Sequence, residues 1–309
     1  MSATAIAAKA TSWLAGYIPD LPTPFDPSGN VDLNAFRELC ERQIEAGAPA
    51  IVVCETAGEF STLTPAEQAS VIRVAVRIAG GRVRIIAGAG SNSTSQAIEL
   101  TRQAEAEGAD AVLSVVPYYN KPMQSGIEAH FRAIAESTRL PIILHDIPAR
   151  TIRELADDTL VRLAQSRQFI GLRDGSGDAA RPLRLIGLLP SHFRLLTGDD
   201  AIVLAYMANG GDGCISTVCN VVPDVCRMIF SNWRQGMLQT ARDLQRQIEP
   251  LEACLSANNP AALKYALSLL GFIHPDTRLP IAGLDEPSKA AVAKIIARID
   301  QRQFAAALG

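Results

Sequence analysis

Lysine is scarce in this chain. Of 29 basic residues in a chain of 309, only Lys9, Lys121, Lys264, Lys289 and Lys294 are lysines; the others are arginines. The shortage has a chemical meaning. A lysine amine can lose its proton and attack a carbonyl, whereas a guanidinium stays protonated in proteins and acts as a clamp. Chemistry that needs an amine nucleophile therefore has few places to occur. An excess of charge of one sign is missing too. The 29 basic and 32 acidic residues leave a formal charge of -3, so nothing points to nucleic acid or an anionic membrane surface as a partner. No apolar run reaches the roughly 18 residues that a membrane span needs. Cys40, Cys54, Cys214, Cys219, Cys226 and Cys254 form no CxxC pair, and no histidine stands at zinc-finger spacing. They read as buried thiols of a reducing compartment. The first residues lack the basic stretch and clean apolar core of a secretory leader, and the expected location is the cytoplasm.

What is present is an ordinary folded-domain composition, 48% hydrophobic and 20% charged, which excludes a disordered chain. Short apolar runs recur at Tyr17–Leu21, Ala50–Val53, Val83–Ala87, Ala111–Val115, Ile142–His145, Phe169–Leu172, Phe193–Leu196 and Cys214–Ser216. They do not alternate cleanly, as expected of parallel strands covered on both faces. Helical patterns lie between them at Leu33–Ala46, Thr64–Ile78, Thr94–Glu107, Ile127–Ser137, Ala156–Gln165, Ala179–Leu189 and Ala201–Met207. Thr64-Pro65-Ala66-Glu67 is a helix start with a cap, a proline in the first turn and an acid at its third position. Eight strands alternating with helices predict a (β/α)8 TIM barrel over residues 15–225. Val225–Gln245, Ile248–Ser256, Pro260–Leu270 and Pro287–Leu308 then predict a C-terminal helical extension, residues 226–309, packed on the barrel. An open doubly wound sheet alternates in the same way. Its dinucleotide fingerprint is missing, since no GxGxxG follows the first strand, and Gly88-Ala89-Gly90-Ser91-Asn92 is a weak substitute.

A barrel carries its site on the loops that follow the strands, and polar residues collect there. Arg173 ends strand six, where its donor fork would suit a carboxylate or phosphate. It would equally suit an internal ion pair with Asp174, Asp199 or another acid of the mouth. His145 ends strand five and is a candidate general acid or base, or a histidine bonded to a carbonyl. Arg150 could reach an anionic ligand, and Thr56 and Tyr119 could relay a proton. Asp199-Asp200 opens a helix, so capping is expected of one of them. His145, Asp146, Asp174 and Asp199 lack the tight spacing of a metal site, and neither a metal nor another cofactor is expected.

These mouth residues also carry a resemblance. The segments are Thr23-Pro24-Phe25, Thr56-Ala57-Gly58-Glu59 with Leu63-Thr64-Pro65-Ala66-Glu67, and Ala87-Gly88-Ala89-Gly90-Ser91-Asn92. Next come Pro117-Tyr118-Tyr119-Asn120-Lys121-Pro122, Ile147-Pro148-Ala149-Arg150-Thr151 and Gly171-Leu172-Arg173-Asp174 with Gly177-Asp178. Gly198-Asp199-Asp200 and Gly210–Asn220 complete the set. The chain resembles the dihydrodipicolinate synthase / N-acetylneuraminate lyase family of class I aldolases from about residue 15 to residue 300. The resemblance implies a tetramer built as a dimer of dimers, with Tyr118 and Tyr119 near a subunit interface. It implies a lyase acting on a 2-oxo acid, without a cofactor. It also implies a pocket that includes Arg173, Arg150, Ala57, Gly198 and Ile215.

The pattern breaks where that family does its chemistry. Family members form an imine between pyruvate and a lysine ending strand six, and a tyrosine ending strand five moves the proton. Here those positions hold Arg173 and His145. In place of Gly-Thr-Thr-Gly-Glu stands Glu55-Thr56-Ala57-Gly58-Glu59, so one hydroxyl is lost at Ala57. Thr56, Tyr119 and Arg150 remain. Of the lysines only Lys121 falls in a mouth loop, and its Asn-Lys-Pro context also occurs in relatives that keep their own imine lysine. Two readings follow. One is an enzyme without covalent chemistry, in which Arg173 and Arg150 hold a carboxylate and His145 moves the proton with Thr56 and Tyr119. The other is a catalytically silent paralogue that binds a ligand or serves a regulatory role.

Overall fold

The computed structural model of the protein describes residues 11–307. The leader reading and Lys9 lie outside them. Eight parallel strands form one sheet: β1 Gly16–Pro19, β2 Ala50–Val53, β3 Arg84–Gly88, β4 Ala111–Val115, β5 Ile142–Asp146, β6 Phe169–Asp174, β7 Arg194–Thr197 and β8 Gly213–Ser216. Their order is β1-β8-β7-β6-β5-β4-β3-β2. The seam between β1 and β2 is held by a bridge between Asp20 and Val52 and by the Leu21 N–H donating to the Val52 carbonyl at 2.9 Å. The sheet is a (β/α)8 barrel, and the open-sheet alternative falls.

The strands bury both faces, so they read as apolar runs. Ile18, Val52, Ile86, Leu113, Ile143, Leu196 and Ile215 form an inner cluster. A second, larger cluster packs the outer faces against the helices. Helices α1 Leu33–Glu45, α2 Pro65–Ala79, α3 Thr94–Ala106 and α4 Gln124–Glu136 start where their caps dictate. Asp32 accepts from the N–H groups of Asn34 and Ala35, and Thr64 with Glu67 forms a complete capping box. The barrel continues through α5 Pro148–Thr151, α6 Asp157–Ala164, α7 Arg181–Leu185 and α8 Val203–Ala208.

The expected helix Val225–Gln245 is two helices, α9 Pro223–Arg234 and α10 Leu238–Ala257. Gly236 at φ 77° turns the chain between them, the left-handed cap that glycine supplies most cheaply. The separately expected Ile248–Ser256 belongs to α10, which continues through Pro250. Helices α11 Ala261–Leu269 and α12 Glu286–Ala307 complete the extension. Among the described residues no helix is long and apolar enough to cross a membrane. Lys264 of α11 is fully buried. It pairs with Glu59 of the β2 loop at 2.5 Å, and its ammonium stands 3.8 Å from the Phe25 ring centroid. Burial, opposed by Glu59, brings its pKa down to about 8. Arg278 binds Glu67 at 2.5 Å. These contacts fasten the extension to the loops of the barrel mouth.

One barrel contact gives a pH-dependent expectation. His130 of α4 is buried, with Nδ1 3.0 Å from the Thr94 hydroxyl of α3. Burial brings its pKa down to about 4. A neutral buried histidine stabilises fully above its unfolded pKa, and that stability is lost as pH falls toward the folded value. Relative to His130→Gln, the native protein should therefore lose stability between about pH 6.5 and pH 4, at no more than about 1.4 kcal/mol per pH unit. Parallel melting curves of the two proteins across that window would refute this.

Candidate active site

The centre of the mouth is built from strand ends. Inward positions on β5 are Ile143 and then His145, because side chains two residues apart share a face. His145 and Arg173 are Cα partners across β5 and β6. On β2 the alternation is broken at Cys54, which has φ 55°. This left-handed residue is costly for a side-chain-bearing position, and it is followed by Glu55, which reaches the barrel axis. Gly198 lies against Arg173, where an added Cβ would stand 3.3 Å from the guanidinium Nε. A glycine there makes room for the arginine.

Four side chains form one buried network. Arg173 Nη1 donates to Asp20 Oδ2 at 2.9 Å and to Glu55 Oε2 at 3.0 Å. His145 Nδ1 lies 3.0 Å from Glu55 Oε1. Glu55 also accepts from the Thr56 N–H, and Asp20 accepts from the Ala57 N–H at 3.5 Å. All four network residues are almost inaccessible to solvent. Burial alone would raise Glu55, but His145 and Arg173 overcome it and hold the carboxyl well below its usual range. Asp20 goes the other way. Burial, with the neighbouring Glu55 charge, pushes it up to about 6 against the pull of Arg173. Burial lowers His145, helped by Arg173 and Arg150 and opposed by Glu55. In its neutral form the imidazole donates Nδ1–H to the Glu55 carboxylate and leaves the lone pair on Nε2. Nε2 has no hydrogen-bond partner among the described residues, nor have Asp20 Oδ1 and Arg173 Nε.

Above this network opens a cavity of about 260 Å³, lined by Thr56, Arg150, Arg173, Gly198, Asp199 and Glu252, among others. The short helix α5, absent from the sequence reading, brings Arg150 to the rim. Thr56, Arg150, Arg173 and Gly198 thus meet at one cavity. His145 lies beneath it beside Arg173. Ala57 is fully buried behind the β2 turn, and Ile215 belongs to the inner cluster under the network. Tyr119 is not brought to them: it is 87% exposed, at φ 70°. Lys121, in the same loop, is also exposed.

The four residues weighed as metal ligands do not converge. Asp146 and Asp174 follow His145 and Arg173 on the opposite strand face and bind Arg181 at 2.7 and 3.1 Å. The Tyr206 hydroxyl donates to Asp174 at 3.1 Å, and Asp199 caps Ala201. Arg173 therefore has an internal ion pair, with Asp20 and Glu55 in place of Asp174 or Asp199. Sequence reasoning missed Asp20, Glu55 and Glu252 as site residues. Glu55 had a signal, a carboxylate where the resembling family has glycine. Asp20 and Glu252 had none. The thiols of Cys40, Cys54, Cys214 and Cys226 are buried, and burial pushes each of them up.

A (β/α)8 barrel with a mouth cavity walled on one side by a C-terminal helical layer is the class that fold and site define. Residues 13–299 match the Dihydrodipicolinate synthetase family, and the chain belongs to it. It is 41% identical over 283 residues to the 4-hydroxy-tetrahydrodipicolinate synthase of Gluconobacter oxydans, covering 91% of this chain and 95% of the relative. It is 43% identical over 280 residues to that of Hyphomonas neptunium, covering 90% and 95%. Among solved structures, the dihydrodipicolinate synthase of Aquifex aeolicus superimposes with a TM-score of 0.90 at 35% identity, over 93% of this chain and 98% of the other. The chloride-inhibited dihydrodipicolinate synthase of Acinetobacter baumannii, complexed with pyruvate, gives 0.89 at 39% identity over 92% and 98%.

Proposed function

We propose that the protein is a lyase of this family that takes a 2-oxo acid, or a related carboxylate, without forming a lysine imine. The observation that carries the reading is the Asp20–Arg173–Glu55–His145 network. The residues at the family's imine-lysine and tyrosine positions, Arg173 and His145, are tied together by the buried Glu55 carboxylate, and Asp20 is a second partner of Arg173. An ionised Glu55 orients His145 so that Nε2 can accept a proton from the carbon beside the keto group. The electron pair passes to the keto oxygen, and the Arg173 guanidinium stabilises the resulting enolate electrostatically. Arg150 at the rim holds the carboxylate, and Thr56 shares the proton relay. The bond broken or formed is carbon–carbon or carbon–oxygen, through an enolate in place of an enamine. The assembly proposed with it is a tetramer, in which the exposed Tyr118–Tyr119 loop serves a neighbouring subunit.

A second reading has its own support. Arg173 is already neutralised by Asp20 and Glu55, which weakens it as an anion clamp and suits a binding paralogue without turnover. Calorimetry with pyruvate, longer 2-oxo acids and sugar acids, followed by turnover assays on every binder, separates the two. Turnover that His145→Ala abolishes supports the lyase. Binding without turnover leaves the paralogue, and no binding at all overturns both. In either case Arg150→Ala should weaken carboxylate binding about tenfold or more, the worth of one charge-assisted contact. An unchanged Kd would remove Arg150 from the site.

A further inference from the structure

The Arg173 guanidinium is used unevenly. One nitrogen, Nη1, serves two acids, Asp20 Oδ2 at 2.9 Å and Glu55 Oε2 at 3.0 Å. Nε, on the Gly198 side, is buried without a partner among the described residues, and Arg173 and Gly198 both line the mouth cavity. A carboxylate that reaches this side becomes the third anion on one cation. The two resident acids are not held alike. Glu55 also has the His145 Nδ1 contact at 3.0 Å and the Thr56 N–H. Asp20 has one further donor, the Ala57 N–H at 3.5 Å, and its Oδ1 is buried with no partner among the described residues. The groups around Asp20 are Glu55 and Cys54 at the end of β2, Arg173 on β6, and Asn220 after β8, whose amide donates to the Asp20 carbonyl at 2.8 Å. Burial keeps the Cys54 thiol protonated, and His145 bonds to Glu55, not to Asp20. Arg173 is therefore the cation that keeps Asp20 ionised, and the ligand competes for it.

A buried carboxylate that loses its counter-charge takes a proton in preference to staying ionised. We propose that the pocket takes up one proton from solvent when a carboxylate binds beside Arg173, and that Asp20 holds this proton. The coupling rests on the carboxylate pocket proposed above and adds its regulation by pH. Asp20 is close to the crossing point before any ligand arrives, since burial and Glu55 push it up to about 6 against the pull of Arg173. A further anion on Arg173 moves it higher. Protonation removes one negative charge from the network, so Arg173 regains attraction for the ligand that its two acids had cancelled. Glu55, with its three donors, stays ionised and keeps His145 oriented. Because binding takes up a proton, affinity is greatest at low pH and falls as pH rises above about 6, by at most about tenfold per pH unit for one proton.

The test is calorimetry on the full-length protein with pyruvate and 2-oxobutanoate, at pH 7, in buffers of different ionisation enthalpy. The dependence of the heat on the buffer counts the protons. Wild-type protein should take up roughly 0.5–1 proton per ligand, and its Kd should rise at least about tenfold between pH 6 and pH 8. Asp20→Asn should lose both effects. Binding by the wild type without proton uptake overturns the coupling and leaves the carboxylate pocket standing. Uptake that persists in Asp20→Asn overturns the assignment, since another group such as His145 or Glu252 would then hold the proton. If neither 2-oxo acid binds, the carboxylate pocket falls and the coupling falls with it. A readout on the wild type covers the case of an Asp20→Asn protein that folds poorly. Infrared difference spectra should show a carboxylic acid band that appears on binding and shifts when the aspartates carry carbon-13. No such band, or a band that the label leaves in place, contradicts the proposal.

Discussion

Arg173→Met should destabilise the protein by about 3–5 kcal/mol at neutral pH, the usual cost of stripping one partner from a buried ion pair. The change leaves Glu55 and Asp20 as two buried carboxylates without the cation that both contact. Each would be driven toward its protonated form. A carboxyl whose folded pKa lies above its unfolded value destabilises while it must ionise, and the penalty fades as pH falls through the folded pKa. The deficit of Arg173→Met should therefore shrink between about pH 7.5 and pH 5. Glu55→Gln should cost less. Asp20, pushed up to about 6 partly by the Glu55 charge, would ionise more readily without it and remain as the counter-ion of Arg173. Denaturation midpoints of the two variants at both pH values test the ordering. Equal losses, or a deficit in Arg173→Met that does not change with pH, would mean that the network is not the electrostatic unit described here.

The second large effect concerns covalent chemistry. Arg173→Lys alone should not give pyruvate that borohydride can trap. A lysine at this place would sit between Glu55 and Asp20, and opposite charges favour its ammonium form, whereas imine formation needs the free amine. Arg173→Lys combined with Glu55→Gly removes the stronger of the two acids and restores glycine at that position. The double variant should give at least about ten times more adduct than the single one, equivalent to roughly 1.4 kcal/mol of amine deprotonation. Efficient trapping in the single variant would show that Glu55 does not hold position 173 protonated.

How much of this could be read from the sequence differs by level. All eight strands are visible as apolar runs, because both faces of each are buried. Helix starts with strong caps, such as Thr64, are visible as well. The break at Gly236 was hidden by an apolar periodicity that continues across it. In the mouth, Arg173 and His145 at strand ends and Arg150 in the loop after β5 are identifiable from their positions, and the expectation of a pocket without an imine lysine comes from the resemblance. Their partners were harder. Asp20 and Arg173 are 153 residues apart in sequence, and Glu55 and His145 are 90 apart. Only closure of the barrel brings them together. The kink at Cys54 that accompanies Glu55 leaves no mark in the residue type. Glu252 sits on a helix whose packing against the turns after β7 and β8 no local pattern encodes.

The central claim is that this pocket works without an imine, and the most direct measurement is the intact mass of the wild-type protein after pyruvate and borohydride. The expected result is an unchanged mass, since the Arg173 guanidinium remains protonated, Lys264 is buried against Glu59 and Lys121 is exposed in the β4 loop. A mass gain of one reduced pyruvate would contradict it.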